Sequence, residues 1–280
     1  MSLITHIASE CIRRRIWTAG TLACFLLLSY RTLGISPSPI VVAMALCLSL
    51  AVYVMDAAGP QRILGPHANA RHVVDRLLFR VAAVAFGALV LVQRGPAGLI
   101  LVGVSCAGLL YAVPISLGRT RRLHLRGLPT FKSIWLALLI AAAAVGLPLT
   151  SGRPSTSARL LLDIVLCSIC ALSNVTLCDL PDVTEDRAAG VKTLPILLGV
   201  NTTRWALALL NVGAAAVLMV WMTLSGHAPG IVWAWVFVAL ATAVLSLASG
   251  LRAMQRRLKP LAEGVVVPPV IVVMLVDMCA

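Results

Sequence analysis

This sequence has little charge and very few acidic side chains. Only 12% of its 280 residues are charged, and 10 acidic residues stand against 23 basic ones. Soluble domains carry about 25% charged residues, so the composition excludes an ordinary soluble domain. Hydrophobic residues make up 60% of the chain, and the mean hydropathy is +0.98. We therefore expect the chain to lie in a membrane.

The sequence also lacks the alternating segments of about ten residues that a membrane β-barrel requires. Apolar runs near the roughly 20 residues that cross a bilayer as a helix recur from end to end instead. We predict one all-α membrane domain over residues 1–280, a polytopic bundle of about nine transmembrane helices. The predicted spans are residues 16–33, 36–55, 77–93, 97–118, 132–150, 158–178, 203–224, 229–250 and 264–280.

The basic side chains are distributed unevenly between the predicted spans. The net charge is +13, and 19 of the 23 basic residues fall on the side that holds the N-terminus. The positive-inside rule predicts that this side is cytoplasmic. Nucleic-acid binding is not expected, because no base-reading motif accompanies the charge.

Few polar groups interrupt the spans. Asp163 and Asp277 fall in predicted spans near the outer face, where we expect solvated helix ends. Cys167 and Cys170 form a CxxC pattern inside an apolar run. A metal site would need a second pair or a histidine partner, so we expect both cysteines to pack as small apolar residues.

The segment DLPDVTEDRAAGVKTLP, residues 179–195, gathers four of the ten acids: Asp179, Asp182, Glu185 and Asp186. Asp182 and Asp186 are four residues apart, so they share one face of a helix. Pro181 disfavours helix at the residue before it. We predict that a span ends there and that a short helix follows, with Asp182 in its first turn.

Carboxylates at this spacing repel one another and favour a bound cation. Mg²⁺ is typically held by one or two carboxylates together with substrate phosphates. Arg187 and Lys192 follow directly and would balance phosphate charge. The segment therefore predicts a Mg²⁺ and phosphate site, and the alternative is a solvated loop with capping acids.

The stretch CDLPDVTEDRAAGVKTLPILLG, residues 178–199, resembles the second aspartate-rich motif of the UbiA superfamily of membrane prenyltransferases. Its characteristic tail, DR-x-x-G-x-x-(S/T)-L-P-x-x-x-G, is matched by Asp186, Arg187, Gly190, Thr193, Leu194, Pro195 and Gly199. The resemblance implies a helical bundle with a cavity open to the bilayer. Two such motifs would face each other there and hold Mg²⁺ bound to a polyprenyl diphosphate. The allylic cation formed would alkylate an aromatic or other acceptor, or in some members cyclise to a terpene.

The resemblance has departures at both motifs. In the second motif, Cys178 takes the first acidic position, with Asp179 beside it. In YVMDAAGPQRILGPHANAR, residues 53–71, Asp56 takes the first position, but Pro60 and Leu64 replace the next two acids. His67 and Asn69 are further ligand candidates. The predicted metal ligands are Asp56, Asp179, Asp182 and Asp186, and Asp182 and Asp186 are also the predicted catalytic residues.

Several basic and polar residues are candidates for binding the diphosphate. The family often shows Tyr-x-x-x-Lys after the fourth span. Here Tyr111 matches the tyrosine, but Ile115 takes the lysine position. The predicted diphosphate-binding residues are Lys132, Arg187, Lys192, Arg119, Arg122 and Asn174. The alternative for the arginines is a role in topology and in contact with anionic lipid headgroups.

Three functions remain open from the sequence. The first is Mg²⁺-dependent transfer of a prenyl group from an isoprenoid diphosphate to an acceptor. The second is a terpene cyclase of the same superfamily, and the third is a non-catalytic homologue that binds isoprenoid. A transporter is disfavoured, because it predicts broken helices and an ion site at the bilayer midplane.

Overall fold

The structure is a computed structural model that describes residues 16–58, 73–93, 95–112, 115–117, 121–123, 131–188, 190–225, 229–251 and 258–279. The helices in chain order are α1 (Ile16–Leu33), α2 (Pro39–Ala58), α3 (Val73–Gln93), α4 (Pro96–Ala112), α5 (Phe131–Leu149), α6 (Ser157–Asp179), α7 (Val183–Ala188), α8 (Leu194–Leu198), α9 (Val200–Ser225), α10 (Pro229–Ala248), α11 (Leu258–Gly264) and α12 (Val267–Cys279).

The predicted all-α membrane bundle is confirmed, and each of the nine predicted spans overlaps a helix. Within the described ranges, five helical stretches are long and apolar enough to cross a bilayer: Ile16–Leu33, Ser157–Asp179, Val200–Thr223, Gly230–Ala248 and Leu258–Leu275. Pro39–Met55, Pro96–Ala107 and Ser133–Leu149 are shorter apolar helices. The number of nine crossings stays a prediction.

Two predicted span boundaries were wrong. The helix expected over 97–118 ends at Ala112, and Ile115–Leu117 (β1) pairs antiparallel with Arg121–Leu123 (β2). Pro114 explains the stop, because proline has no N–H to donate to the preceding turn. The last span also begins earlier than expected, as the short helix α11 followed by a turn and then α12.

Helix α1 lies at the centre of the bundle. It packs against α2, α5, α6, α11 and α12. Its residues enter two buried apolar clusters, one with α2, α4 and α5 and the other with α5, α6, α9, α10 and α12. Trp235 of α10 is fully buried in the second cluster, and its Nε1 donates to Thr32 Oγ1 of α1 at 2.8 Å. This bond links the last turn of α1 to the first half of α10.

Large apolar side chains also cover the outside of the bundle. Val84, Leu91 and Leu99 are each at least 73% exposed. An apolar surface of this extent is stable where lipid replaces water around the protein. The exposed apolar residues therefore agree with the membrane location that the composition predicts.

The expectation that Asp163 is a solvated helix end was wrong. Its side chain is fully buried and accepts hydrogen bonds from Ser29 Oγ and, at 3.7 Å, from Cys167 Sγ. Asp163 lies nearly two turns inside α6, where α1 supplies the polar partner. Cys167 and Cys170 are free thiols in the buried apolar cluster, where they pack as predicted. The side chain of Asp277 lies outside the described set.

Candidate functional site

The acidic segment follows the end of α6 and forms the short helix α7. The N–H of Asp186 donates to the backbone oxygen of Asp182 at 2.8 Å, so the two residues lie one helical turn apart, as their spacing predicts. Asp182 directly precedes α7 instead of lying in its first turn. At this position the Asp182 side chain can point away from α7 and contact another element.

The three aspartates of the segment differ in burial. Asp179 and Asp186 are 3% and 7% exposed, whereas the Asp182 side chain is 28% exposed. Asp179 Oδ2 accepts from Ser133 Oγ at 2.8 Å. Ser133 lies in the first turn of α5, so this bond joins the start of α5 to the end of α6. It also places the backbone of Lys132 beside the segment, although the Lys132 side chain lies outside the described set.

Lys259 is the functional candidate that the sequence analysis missed. Its Nζ lies 2.5 Å from Oδ2 of Asp182, and the two residues are 77 positions apart in the chain. Lys259 belongs to α11, most of which lies between the predicted spans 229–250 and 264–280. The stretch LKPLAEG has a lysine and a glutamate four residues apart within an apolar region, and this pattern was the available signal.

Helix α11 is fixed at this end of the bundle by α1 and α6. Trp17 Nε1 donates to the backbone oxygen of Pro260 at 2.9 Å. Thr18 Oγ1 donates to the carboxylate of Glu263 at 2.7 Å, and Thr21 Oγ1 donates to the Glu263 backbone oxygen. These contacts bring the start of α1 beside the acidic segment.

The predicted ligand Asn174 takes part in the same anchoring. Its side-chain Nδ2 donates to the backbone oxygen of Ala262 at 2.6 Å. Cys178, one turn further along α6, packs against the buried apolar cluster that includes Leu258 and Ala262 of α11. Asn174 and Cys178 therefore lie on the face of α6 that packs on α11, and diphosphate binding by Asn174 stays a prediction.

The tail of the motif has a local structural role. The N–H groups of Gly190 and Val191 donate to the carbonyls of Arg187 and Asp186, which is the pattern that closes a helix through a left-handed glycine. Gly190 has φ +72°, a conformation that favours glycine. These bonds fix the end of α7 and with it the position of Asp186.

Other predicted residues lie at the surface or beyond the described side chains. Arg187 and Lys192 are exposed. Thr193 is fully buried, and its hydroxyl has no hydrogen-bond partner among the described residues. Asp56 lies in the last turn of α2 and its side chain is outside the described set, and Arg122 is described only through the backbone of β2. Outside the described residues lie Pro60, Leu64, His67, Asn69 and Arg119.

The donor chemistry of the segment suits Mg²⁺. Asp182 and Asp186 offer hard carboxylate oxygens, and substrate phosphates and water typically complete such a set. Among the described residues, no group of three or more His, Cys, Asp or Glu side chains could hold a metal ion. A metal at Asp182 and Asp186 would therefore need oxygen ligands from outside this group.

Comparisons with known proteins agree with this architecture. The chain resembles the solved apo structure of a UbiA homologue from Aeropyrum pernix, with a TM-score of 0.63 and 17% identity over 92% of this chain and 98% of that one. A UbiA homologue from Archaeoglobus fulgidus bound to GPP and Mg²⁺ gives a TM-score of 0.55 and 13% identity, covering 94% of this chain and 99% of that one. A UbiA homologue from Archaeoglobus fulgidus bound to Cd²⁺ gives a TM-score of 0.58 and 14% identity, covering 93% of this chain and 98% of that one.

These structural likenesses establish the fold alone, because the identities are low. A search among curated protein sequences returns no match. The sequence model of the UbiA prenyltransferase family matches residues 71–262, which is more than half of the chain and includes the acidic segment, α7 and its tail. This chain therefore belongs to the UbiA prenyltransferase family.

Proposed function

We propose that this protein catalyses Mg²⁺-dependent transfer of a prenyl group from an isoprenoid diphosphate to an aromatic or other acceptor. The reaction would take place at the end of the bundle formed by the start of α1, the end of α6 and α11. From the distribution of basic residues, we infer that this end and the N-terminus face the cytoplasm.

The observation that carries the proposal is the pairing of Asp182 and Asp186 one turn apart on a family motif. Their carboxylates lie at the end of an apolar bundle. There the apolar tail of an isoprenoid substrate can lie in lipid while the diphosphate of the same substrate reaches the polar face. The Mg²⁺- and GPP-bound homologue from Archaeoglobus fulgidus supports the same substrate class.

The chemistry requires cleavage of the bond between the first prenyl carbon and the diphosphate oxygen. The diphosphate leaves with the electron pair, the allylic cation bonds to a nucleophilic acceptor atom, and the acceptor loses a proton. Bound Mg²⁺ would supply Lewis-acid stabilisation of the departing negative charge.

The residues of this chain would position the substrate and balance its charge. Asp182 and Asp186 would orient the cation-bound diphosphate, with Asp56 and Asp179 as further predicted ligands. Additional charge would come from Arg187, Lys192, Lys132, Arg119 and Arg122, and Asn174 would donate from α6. Charged groups that are fixed in position in a site that excludes water stabilise the transition state more than the same groups would in water.

Product analysis separates the two catalytic alternatives. The detergent-purified protein would be incubated with Mg²⁺ and prenyl diphosphates of several lengths, with and without a panel of aromatic acceptors. A prenylated adduct that forms only with acceptor supports the transferase. A hydrocarbon or terpene alcohol that forms without acceptor would instead identify a cyclase, the alternative favoured by the loss of two acids at Pro60 and Leu64.

A further inference from the structure

The contact between Lys259 and Asp182 brings a protein cation to the motif that the family resemblance assigns to metal and diphosphate binding. The ammonium of Lys259 lies 2.5 Å from a carboxylate oxygen of Asp182. Asp182 thus already has a cationic partner from the protein itself. The partner comes from α11, at residues outside the motif.

Stability alone does not account for this ion pair. The Lys259 and Asp182 side chains are 36% and 28% exposed. Ion pairs with this access to solvent typically contribute little to the free energy of folding. The same access leaves the ammonium within reach of a ligand that enters the site.

The structure holds the lysine in place through several contacts that do not involve its own charge. Trp17 of α1 and Asn174 of α6 donate to the backbone oxygens of Pro260 and Ala262, the residues that follow Lys259. Glu263, one turn further along α11, is 9% exposed and accepts from Thr18. Lys259 therefore stands on a short helix that two other helices fix at the site.

The donor count of the ammonium matches an anionic ligand. A lysine ammonium has three N–H donors, and the contact with Asp182 engages one of them. Two donors remain for diphosphate oxygens. At the first motif, Pro60 and Leu64 stand where the family has acids, so the carboxylates available to recruit metal charge are fewer.

We propose that Lys259 is a diphosphate-binding residue of this site, anchored by Asp182, and that its ammonium provides a positive charge that needs no metal. The inference rests on the proposed function, since it assumes that a diphosphate enters at the acidic segment. Lys259 offsets the charge of Asp182 and donates to the diphosphate oxygens on its free side.

The experiment is titration of inorganic pyrophosphate into the detergent-purified full-length protein, once in EDTA and once in Mg²⁺. The variants are Lys259→Met, Lys259→Gln, Lys259→Arg and the control Arg153→Gln. Arg153 is exposed in the loop before α6, at the opposite end of the bundle, so its variant loses the same charge away from the site. Thermal unfolding in detergent verifies the fold of each variant, and Lys259→Gln carries the test if the methionine variant does not fold.

In EDTA we expect the wild type, Lys259→Arg and Arg153→Gln to bind pyrophosphate with affinities within about threefold of one another. Loss of a hydrogen bond to a charged group should weaken binding by about tenfold or more in the methionine and glutamine variants. In Mg²⁺ the loss should be smaller, because the metal adds charge of its own.

Three results would overturn the inference. They are wild-type affinity in Lys259→Met or Lys259→Gln, an equal loss in Arg153→Gln, and no binding by the wild type in EDTA. A separate assay of diphosphate release from prenyl diphosphates in Mg²⁺ tests the proposed function. If prenyl diphosphates are turned over but the Lys259 variants bind pyrophosphate in EDTA as the wild type does, the lysine assignment alone is refuted. If pyrophosphate binds as expected but no prenyl diphosphate is turned over, the proposed reaction alone is refuted.

Discussion

Asp186 and Glu185 are neighbouring acids in α7 whose replacement by amides should affect turnover very differently. Asp186 is 7% exposed, whereas Glu185 is exposed to solvent. The interaction between two unit charges about 4 Å apart amounts to about 4 kcal/mol at an effective dielectric constant near 20, but only about 1 kcal/mol in bulk water. Since about 1.36 kcal/mol corresponds to tenfold in rate, Asp186→Asn should slow turnover by about 10³-fold. Glu185→Gln should slow it by less than about fivefold.

The assay is the initial rate of diphosphate release from geranyl diphosphate in Mg²⁺, measured for both variants alongside the wild type. Each variant removes one negative charge and keeps the side-chain shape, so the comparison isolates the position of the charge. Melting temperatures in detergent establish that both variants are folded. Rates for Asp186→Asn within threefold of the wild type, or equal losses in the two variants, would refute the assignment of Asp186 to the site.

The remaining predictions concern the contacts that hold the site together. Gly264→Ala should destabilise the protein by about 1–3 kcal/mol, because the new Cβ would lie 2.4 Å from the Trp17 ring, and thermal unfolding in detergent would measure the loss. Gly190→Ala should cost about 1–2 kcal/mol, because the residue has φ +72°, and it should also lower the rate of diphosphate release by displacing the end of α7. Asn174→Ala removes the bond to the Ala262 oxygen and should lower stability by about 1 kcal/mol, so an unchanged melting temperature would contradict the anchoring of α11.

The long helices could be predicted because each depends on a local property, an apolar run of sufficient length. Short features limited that accuracy. Pro114 comes just after the end of α4, which stops earlier than hydropathy alone suggests, and Lys259 lies in the short helix α11, between two predicted spans. Hydropathy averages over such short polar elements, so their helical structure was not visible from the sequence.

The site could be predicted only as far as its local spacing allowed. The four-residue interval placed Asp182 and Asp186 one turn apart, whereas the turn at Gly190 was seen only in the structure. The partners of these residues come from distant parts of the chain, as with Lys259 at Asp182 and Ser133 at Asp179. Such contacts depend on how helices pack, which no spacing within one segment encodes.

The buried carboxylate of Asp163 illustrates the same limit. Its position near the end of an apolar span suggested solvent, but its partner Ser29 lies on another helix, 134 residues earlier. A carboxylate in an apolar interior costs free energy unless polar groups contact it. Only the packing of α1 on α6 reveals that such contacts exist.

We propose that the end of the bundle at Asp182 and Asp186 cleaves a prenyl diphosphate. The test is diphosphate release from geranyl diphosphate by the detergent-purified protein, measured with Mg²⁺ and with EDTA. We expect release in Mg²⁺ that is lost in EDTA and restored when Mg²⁺ is added back in excess. Absence of release in Mg²⁺ for prenyl diphosphates of every length, with or without an acceptor, would contradict it and leave isoprenoid binding as the function of the site.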